Sequence, residues 1–246
     1  MYIDAILSPA ELPALARRDL RQTVCVVFDI LRATSTFVTA LQHGAAAIIP
    51  VSEISEAVAL RRQQPDFLLA GERDGVKIRA AQSGGVDFDL GNSPREFTPA
   101  TVRGRTIVST TTNGTRALRA GTGARAVLAG SFLNLTATAR YLQQLAPAEI
   151  RLVCAGTGEG VALEDVLAAG ALAEQLPGTH ADAVLIARQM YAGAKANLTA
   201  ALSRAQNGAR LSAIPELRED VAYCAQTDSV TLVAIADASG RLHVAA

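Results

Sequence analysis

Short β-branched runs alternate along this chain with longer Ala- and Leu-rich segments whose apolar residues recur at helical spacing. A strand buries its side chains with a period of two and a helix with a period of about 3.6, so regular alternation of the two marks a layered α/β protein. The runs Thr23 to Phe28, Ala46 to Val51, Phe67 to Ala70, Thr106 to Ser109, Ala126 to Ala129 and Arg151 to Cys154 predict strands, with helices between most of them. Ser8-Pro-Ala-Glu11 and Ser93-Pro-Arg-Glu96 carry helix-start chemistry, a hydroxyl for a free backbone N–H and a Glu three residues on that reaches back. Gly44, Gly121 and Pro177-Gly178 supply stops. Asp182 to Ala205 reads as one long helix and Pro215 to Ala225 as another. Val230 to Ala236 and Leu242 to Ala245 read as a closing hairpin around Asp237-Ala-Ser-Gly240.

A weak internal repeat runs through this pattern. Thr39-Ala-Leu-Gln-His-Gly44 followed by Ala45 to Ser52 parallels Arg116-Ala-Leu-Arg-Ala-Gly121 followed by Ala124 to Ser131. Each copy reads as strand, polar loop, helix, Gly, strand, which any βαβ crossover would also produce. No Pro/Gly/Ser-rich linker divides the chain, so the expectation is a single domain over residues 1–246, with room for two similar lobes.

Composition excludes several functions. With 23 Lys and Arg against 23 Asp and Glu, the chain lacks the basic surplus that phosphate backbones demand, which argues against a nucleic-acid partner. Half the residues are hydrophobic, enough for a sizeable core, yet no apolar run approaches the roughly 20 residues of a membrane span. Met-Tyr-Ile-Asp lacks the basic n-region of a leader, and the expectation is a soluble, cytoplasmic protein without a membrane partner. Cys25, Cys154 and Cys224 are odd in number and far apart, and His43, His180 and His243 are equally scattered, which argues against a disulfide framework, a zinc site or a His-based triad.

In open α/β sheets, sites form beyond the carboxyl ends of strands, and four such loops are polar here. Asp29 ends an apolar strand and is followed by Arg32, Thr34, Ser35 and Thr36 at a helix start, an acid for metal or phosphorus beside donors for an anion. An ordinary helix cap with a surface ion pair would use the same residues. Ser109 through Thr112, then Asn113, Gly114 and Thr115, form a run of hydroxyls and amides suited to cradling an anion, without P-loop spacing. Gly71 to Lys77, continuing to Asp87 and Pro94, is the longest polar stretch and holds one of only two lysines, Lys77 and Lys195. The Gly-rich turn Cys154 to Gly160 leads to Glu164 and Asp165, a pair that could bind Mg²⁺ or simply favour a helix start. Together the inventory is acids, basic residues and hydroxyls without His or Cys, which fits phosphate chemistry with an oxygen-ligated divalent metal.

Val27-Phe-Asp-Ile-Leu-Arg-Ala-Thr-Ser-Thr36, Gly71-Glu-Arg73, Asp89-Leu-Gly-Asn-Ser-Pro94, Thr110-Thr-Thr-Asn-Gly-Thr115 and Glu164-Asp165 closely resemble the 2-phosphosulfolactate phosphatase (ComB) family, in order and over most of the chain. The resemblance implies a layered α/β/α fold of the family's own kind. It also implies Mg²⁺-dependent hydrolysis of 2-phosphosulfolactate to sulfolactate and phosphate, as in coenzyme M biosynthesis, with phosphate esters of other 2-hydroxy acids as further candidate substrates. On that basis Asp29 is expected as metal ligand or nucleophile, and Glu72, Glu164 and Asp165 as metal ligands or acids for the leaving alkoxide. Arg32, Arg73 and Lys77 are expected to clamp the anionic groups. Ser35, Thr36, Asn92 and residues Thr110, Thr111, Thr112, Asn113, Gly114 and Thr115 are expected to supply uncharged donors.

Two alternatives stay open. A haloacid-dehalogenase-like aspartyl-phosphate phosphatase shares the strand-end acid but expects a second Asp where Leu31 stands. A non-catalytic binder of anionic metabolites would use the same cradles without a metal. A homodimer is the expected assembly, on the frequency of C2 symmetry.

Overall fold

The computed structural model describes residues 1–245. The first half of the chain forms β1 (Tyr2–Ile6), α1 (Leu12–Leu15), β2 (Thr23–Phe28), α2 (Ala33–Gln42), β3 (Ala47–Pro50), α3 (Ile54–Gln63), β4 (Leu68–Arg73), β5 (Val76–Lys77), α4 (Ala80–Ser83), α5 (Pro99–Val102) and β6 (Thr106–Thr110). There follow α6 (Gly114–Ala120), β7 (Ala126–Gly130), α7 (Leu135–Leu145), β8 (Glu149–Cys154), α8 (Leu163–Glu174), β9 (Thr179–His180) and α9 (Asp182–Ala194). The chain closes with α10 (Leu198–Arg204), α11 (Gln206–Ser212), α12 (Arg218–Cys224) and the hairpin β10 (Ala234–Ala236) with β11 (Leu242–Val244).

One sheet carries the strands in the order β5-β4-β6-β3-β11-β10-β7-β2-β8-β1-β9. It consists of two parallel blocks, β4-β6-β3 and β7-β2-β8-β1, joined by the hairpin. Three successive antiparallel pairings, β7 to β10, β10 to β11 and β11 to β3, set the two blocks running in opposite senses. The two copies of the sequence repeat therefore interlock. β2 of the first copy pairs with β7 of the second, and β6 of the second pairs with β3 of the first. Reciprocal pairing of this kind is what a two-fold relation produces. It brings the loop after β2 against the loop after β6.

Burial follows the strand period. Val24, Val26 and Phe28 pack with α8, α9 and α10 in one core, while Cys25 and Val27 pack on the opposite face with α2 and α6. A third cluster packs α3 against Leu69 and Val108 of the other block. Helices on both faces of the sheet make the α/β/α layering. Phe28, Phe37 and Phe132 are all but inaccessible to solvent, and each such side chain contributes about 2–3 kcal/mol by burial. α8 and α9 approach closely because residue 170 is Gly: a Cβ there would lie 2.1 Å from the Ala187 carbonyl oxygen.

All six expected strands and the closing hairpin form. The differences have local causes. The segment expected as one helix from Asp182 to Ala205 breaks at Lys195–Asn197, where the Asn197 side chain accepts from the Ala200 N–H at 3.1 Å and starts α10. The helix expected from Pro215 begins at Arg218. Gly44 takes the left-handed conformation at φ +89°, whereas Gly121, at φ −83°, does not. The Ser8 capping box forms but opens only a 3₁₀ turn, and Ser93 Oγ donates to Asp220 instead of capping. β1 was not anticipated, because Asp4 interrupts its apolar pattern; Asp4 there pairs with Arg151 of β8.

Candidate active site

A cleft of about 210 Å³ opens where the loops after β2, β4, β6 and β8 meet α11. It is lined by Asp29, Leu31 and Arg32, by Glu72, Asp74 and Gly75, by Asn92, by Thr112 and Asn113, by Thr157 and Gly158, and by Asn207, Arg210 and Leu211.

Asp29 sits between the N-termini of α2 and α6. Its Oδ1 accepts from the Ala33 N–H at 3.1 Å, and its backbone carbonyl accepts from the Thr34 N–H and hydroxyl. Gly114 closes the other side. A Cβ at that position would lie 2.6 Å from Asp29 Oδ2 and 2.7 Å from Ala33 Cβ, so only glycine lets the two loops meet. Burial pushes the Asp29 carboxyl up to about 7; the Ala33 and Gly114 N–H groups pull it down, and the Glu72 and Glu164 charges push it up.

Glu72 organises the facing wall. Its Oε1 accepts from both the N–H and the hydroxyl of Thr112, at 2.9 and 3.0 Å, and its Oε2 accepts from the Gly75 N–H at 2.7 Å. Asp165 ties two strand-end loops together, taking the Ile30 N–H on Oδ1 at 2.8 Å and the Gly156 N–H on Oδ2 at 2.9 Å. Burial, then the Glu164 and Asp29 charges, raise Asp165 well above the usual carboxylate range. Glu164 is raised as well, chiefly by burial. Its Oε1 accepts from Asn207 Nδ2 at 2.7 Å, while its Oε2 is buried without a hydrogen-bond partner.

Other expected residues are engaged with the protein itself. Arg32 lines the cleft, but its Nη1 is paired with buried Asp220 at 2.7 Å and its Nη2 donates to the Gly75 carbonyl at 2.6 Å. Arg73 follows Glu72 on β4 and therefore points to the opposite face, where it donates to Thr110 Oγ1 at 3.0 Å and to the Glu72 and Ser52 carbonyls. Lys77 reaches the Asp89 carbonyl at 3.3 Å, outside the cleft lining. Ser35 bonds to the Ile30 carbonyl and the Ser131 hydroxyl, and Thr36 to the Asn92 carbonyl. Thr110 bonds to the Ser52 carbonyl, and Thr111 pairs with Thr115 at 3.1 Å. These hydroxyls brace the loops, and of the run only Thr112 and Asn113 line the cleft.

The sequence offered no sign of three contributors. Asn207 donates to Thr157 Oγ1 at 2.6 Å as well as to Glu164, Arg210 stands one helical turn further along, and Asp220 collects Arg32, Ser93 and Arg95. Only packing of α11 and α12 brings them to the strand ends.

Among the described residues, no three His, Cys, Asp or Glu side chains are arranged to hold one metal ion. Mg²⁺ does not demand three, since it is held by one or two carboxylates and keeps several waters. A partnerless buried oxygen on Glu164 and three carboxyls whose ionisation burial opposes are a donor set that a hard divalent cation would satisfy.

Fold and cleft define an α/β enzyme with an oxygen-rich acidic centre at strand ends. Residues 10–239 match the family model described as 2-phosphosulpholactate phosphatase. The chain is 39% identical over 227 residues to a probable 2-phosphosulfolactate phosphatase of Symbiobacterium thermophilum, covering 88% of this chain and 92% of that protein. Proteins so named from Deinococcus radiodurans and Trichormus variabilis are 42% and 36% identical, over 85% and 93% of this chain and 86% and 94% of theirs. The chain belongs to the 2-phosphosulfolactate phosphatase family and is a phosphoric monoester hydrolase. Among the described residues, no helix is long and apolar enough to cross a membrane.

Proposed function

We propose that the protein hydrolyses 2-phosphosulfolactate to sulfolactate and phosphate with the help of Mg²⁺, as a step of coenzyme M biosynthesis, and acts more slowly on phosphate esters of other 2-hydroxy acids. The observation that carries this reading is Asp29, buried between two helix N-termini with Glu72 and Glu164 near enough to raise its carboxyl. Asp29 and Glu164 would hold the metal. When bound, it neutralises phosphate charge and makes a water molecule more nucleophilic.

The chain's own residues do the rest. The α2 and α6 N-termini turn their positive ends toward a phosphate that enters beside Asp29. Thr112 and Asn113 present polar groups along one wall and Asn92 along another. Glu72 holds Thr112 and Gly75 in register, so both walls are set before substrate arrives. Asp165 performs the same service between the β2 and β8 loops. In hydrolysis a bond forms from a water oxygen to phosphorus, the bond from phosphorus to the ester oxygen breaks, and that oxygen leaves with a proton.

Phosphate release from phosphosulfolactate and phospholactate, with Mg²⁺ and then with EDTA, tests the reading. Metal-dependent turnover that favours the sulfonate supports it. No release from either substrate rejects it in favour of a non-catalytic binder, and a trapped phospho-protein would point to attack by Asp29 itself. Sedimentation of the purified protein tests the homodimer.

A further inference from the structure

The charge of the cleft is the reverse of what its substrate needs. Phosphosulfolactate carries a phosphate, a carboxylate and a sulfonate, yet three carboxylates line the cleft, Asp29, Glu72 and Asp74, against two guanidinium groups, Arg32 and Arg210. Arg32 is committed to Asp220 and Gly75, with both members of that ion pair buried. Arg73 and Lys77 are turned away. This leaves one lining cation for the substrate.

Arg210 forms no ion pair among the described residues, and it is exposed at the rim on α11. Its Nη2 donates to Asn207 Oδ1 at 3.2 Å. Asn207 is itself fixed by Thr157 Oγ1 and Glu164 Oε1, three residues before Arg210 and so on the same helical face. The guanidinium is thus aimed by an amide anchored in the acid cluster, and it retains donors for a ligand. Its charge reaches that cluster, where it offsets part of the burial penalty on Glu164.

We infer that Arg210 is the specificity-determining residue that reads the sulfonate of the substrate. This rests on the phosphatase reading above, in which the phosphate lies deep beside Asp29. The sulfonate stands one carbon further than the carboxylate from the carbon bearing the phosphate ester, so it is the acid group that extends toward the rim. A guanidinium fork can give two parallel hydrogen bonds to a sulfonate, which stays ionised at every working pH.

The test compares kcat/KM for phosphosulfolactate with that for phospholactate, which has a methyl group in place of the sulfonate-bearing carbon. In Arg210→Gln the ratio of the two should fall by roughly 10- to 100-fold, the range for losing a hydrogen bond to a charged group, and the loss should appear mainly in KM. Arg210→Lys should recover part of it. Arg210 is exposed, and Glu164, which loses the offsetting charge in Arg210→Gln, keeps its Asn207 hydrogen bond; an effect routed through Glu164 would lower turnover of both substrates alike. An unchanged ratio, or an equal fall in kcat for both substrates, overturns the assignment while leaving the phosphatase reading in place. Failure of the wild-type protein to release phosphate from either substrate overturns that reading and this one with it.

Discussion

Replacing Asp29 with Asn should make the metal-free protein more stable at alkaline pH while it abolishes turnover. Burial moves this carboxyl from an ordinary 3.8 to about 7. Protons bind the folded state more strongly, so its stability is fully present below pH 3.8 and is lost progressively as the pH rises to about 7. Between pH 5 and pH 8, a shift of that size costs the wild-type protein about 2.5 kcal/mol that the Asn variant does not lose. Part of the shift is shared with Glu72 and Glu164, which makes this an upper figure; about 1–2.5 kcal/mol is expected. The change with pH matters more than the offset at one pH, because the Asn amide also alters its contacts with Ala33 and Gly114 by an amount that does not titrate. Urea unfolding in EDTA at the two pH values measures it. For a chain of this length each kcal/mol moves Tm by about 2–4 °C. Parallel stability of the two proteins at pH 5 and pH 8 would refute the raised carboxyl, and near-normal turnover of the variant would refute its role.

Three other predictions follow from named contacts. Gly114→Ala drives a methyl group into Asp29 and Ala33, and should cost about 1–3 kcal/mol in unfolding measurements together with most of the activity; a stable, active variant would show that the two loops need not touch. Asp220→Ala leaves the Arg32 guanidinium buried without its carboxylate and should cost about 3–5 kcal/mol by urea unfolding, whereas a loss below about 1 kcal/mol would mean the pair is dispensable. With Asp29 as the proposed ligand, Mg²⁺ binding displaces its proton, so calorimetric affinity should rise with pH up to about 7 and level off above it; an affinity flat from pH 5 to pH 8 would remove Asp29 from the ligand set.

Legibility in the sequence tracked the range of the interaction. The loops that frame the cleft could be found because a strand end followed by polar residues and a helix start is a local pattern, and Asp29 and Thr112 lie in such loops, while Glu72 lies near the end of β4. Which neighbour in a loop faces inward was harder to read. Glu72 and Arg73 are adjacent, and the pleat sends one to the cleft and the other to Ser52 and Thr110. The hydroxyls of Ser35, Thr36, Thr110, Thr111 and Thr115, expected as anion donors, are bonded to carbonyls and hydroxyls of the surrounding protein. In sequence, a Thr that binds an anion and a Thr that braces a turn are the same residue in the same place.

By itself the sequence determined six strands of the sheet, the closing hairpin, the crossover helices and the repeat, because periodicity and residue type act over a few positions. Tertiary structure alone decided that the two copies interlock, so that Gly114 of one meets Asp29 of the other, and that α11 and α12 deliver Asn207, Arg210 and Asp220 to the strand ends. Those contacts join residues 43 to 188 positions apart, beyond any local pattern, and depend on which helix faces the packed core buries.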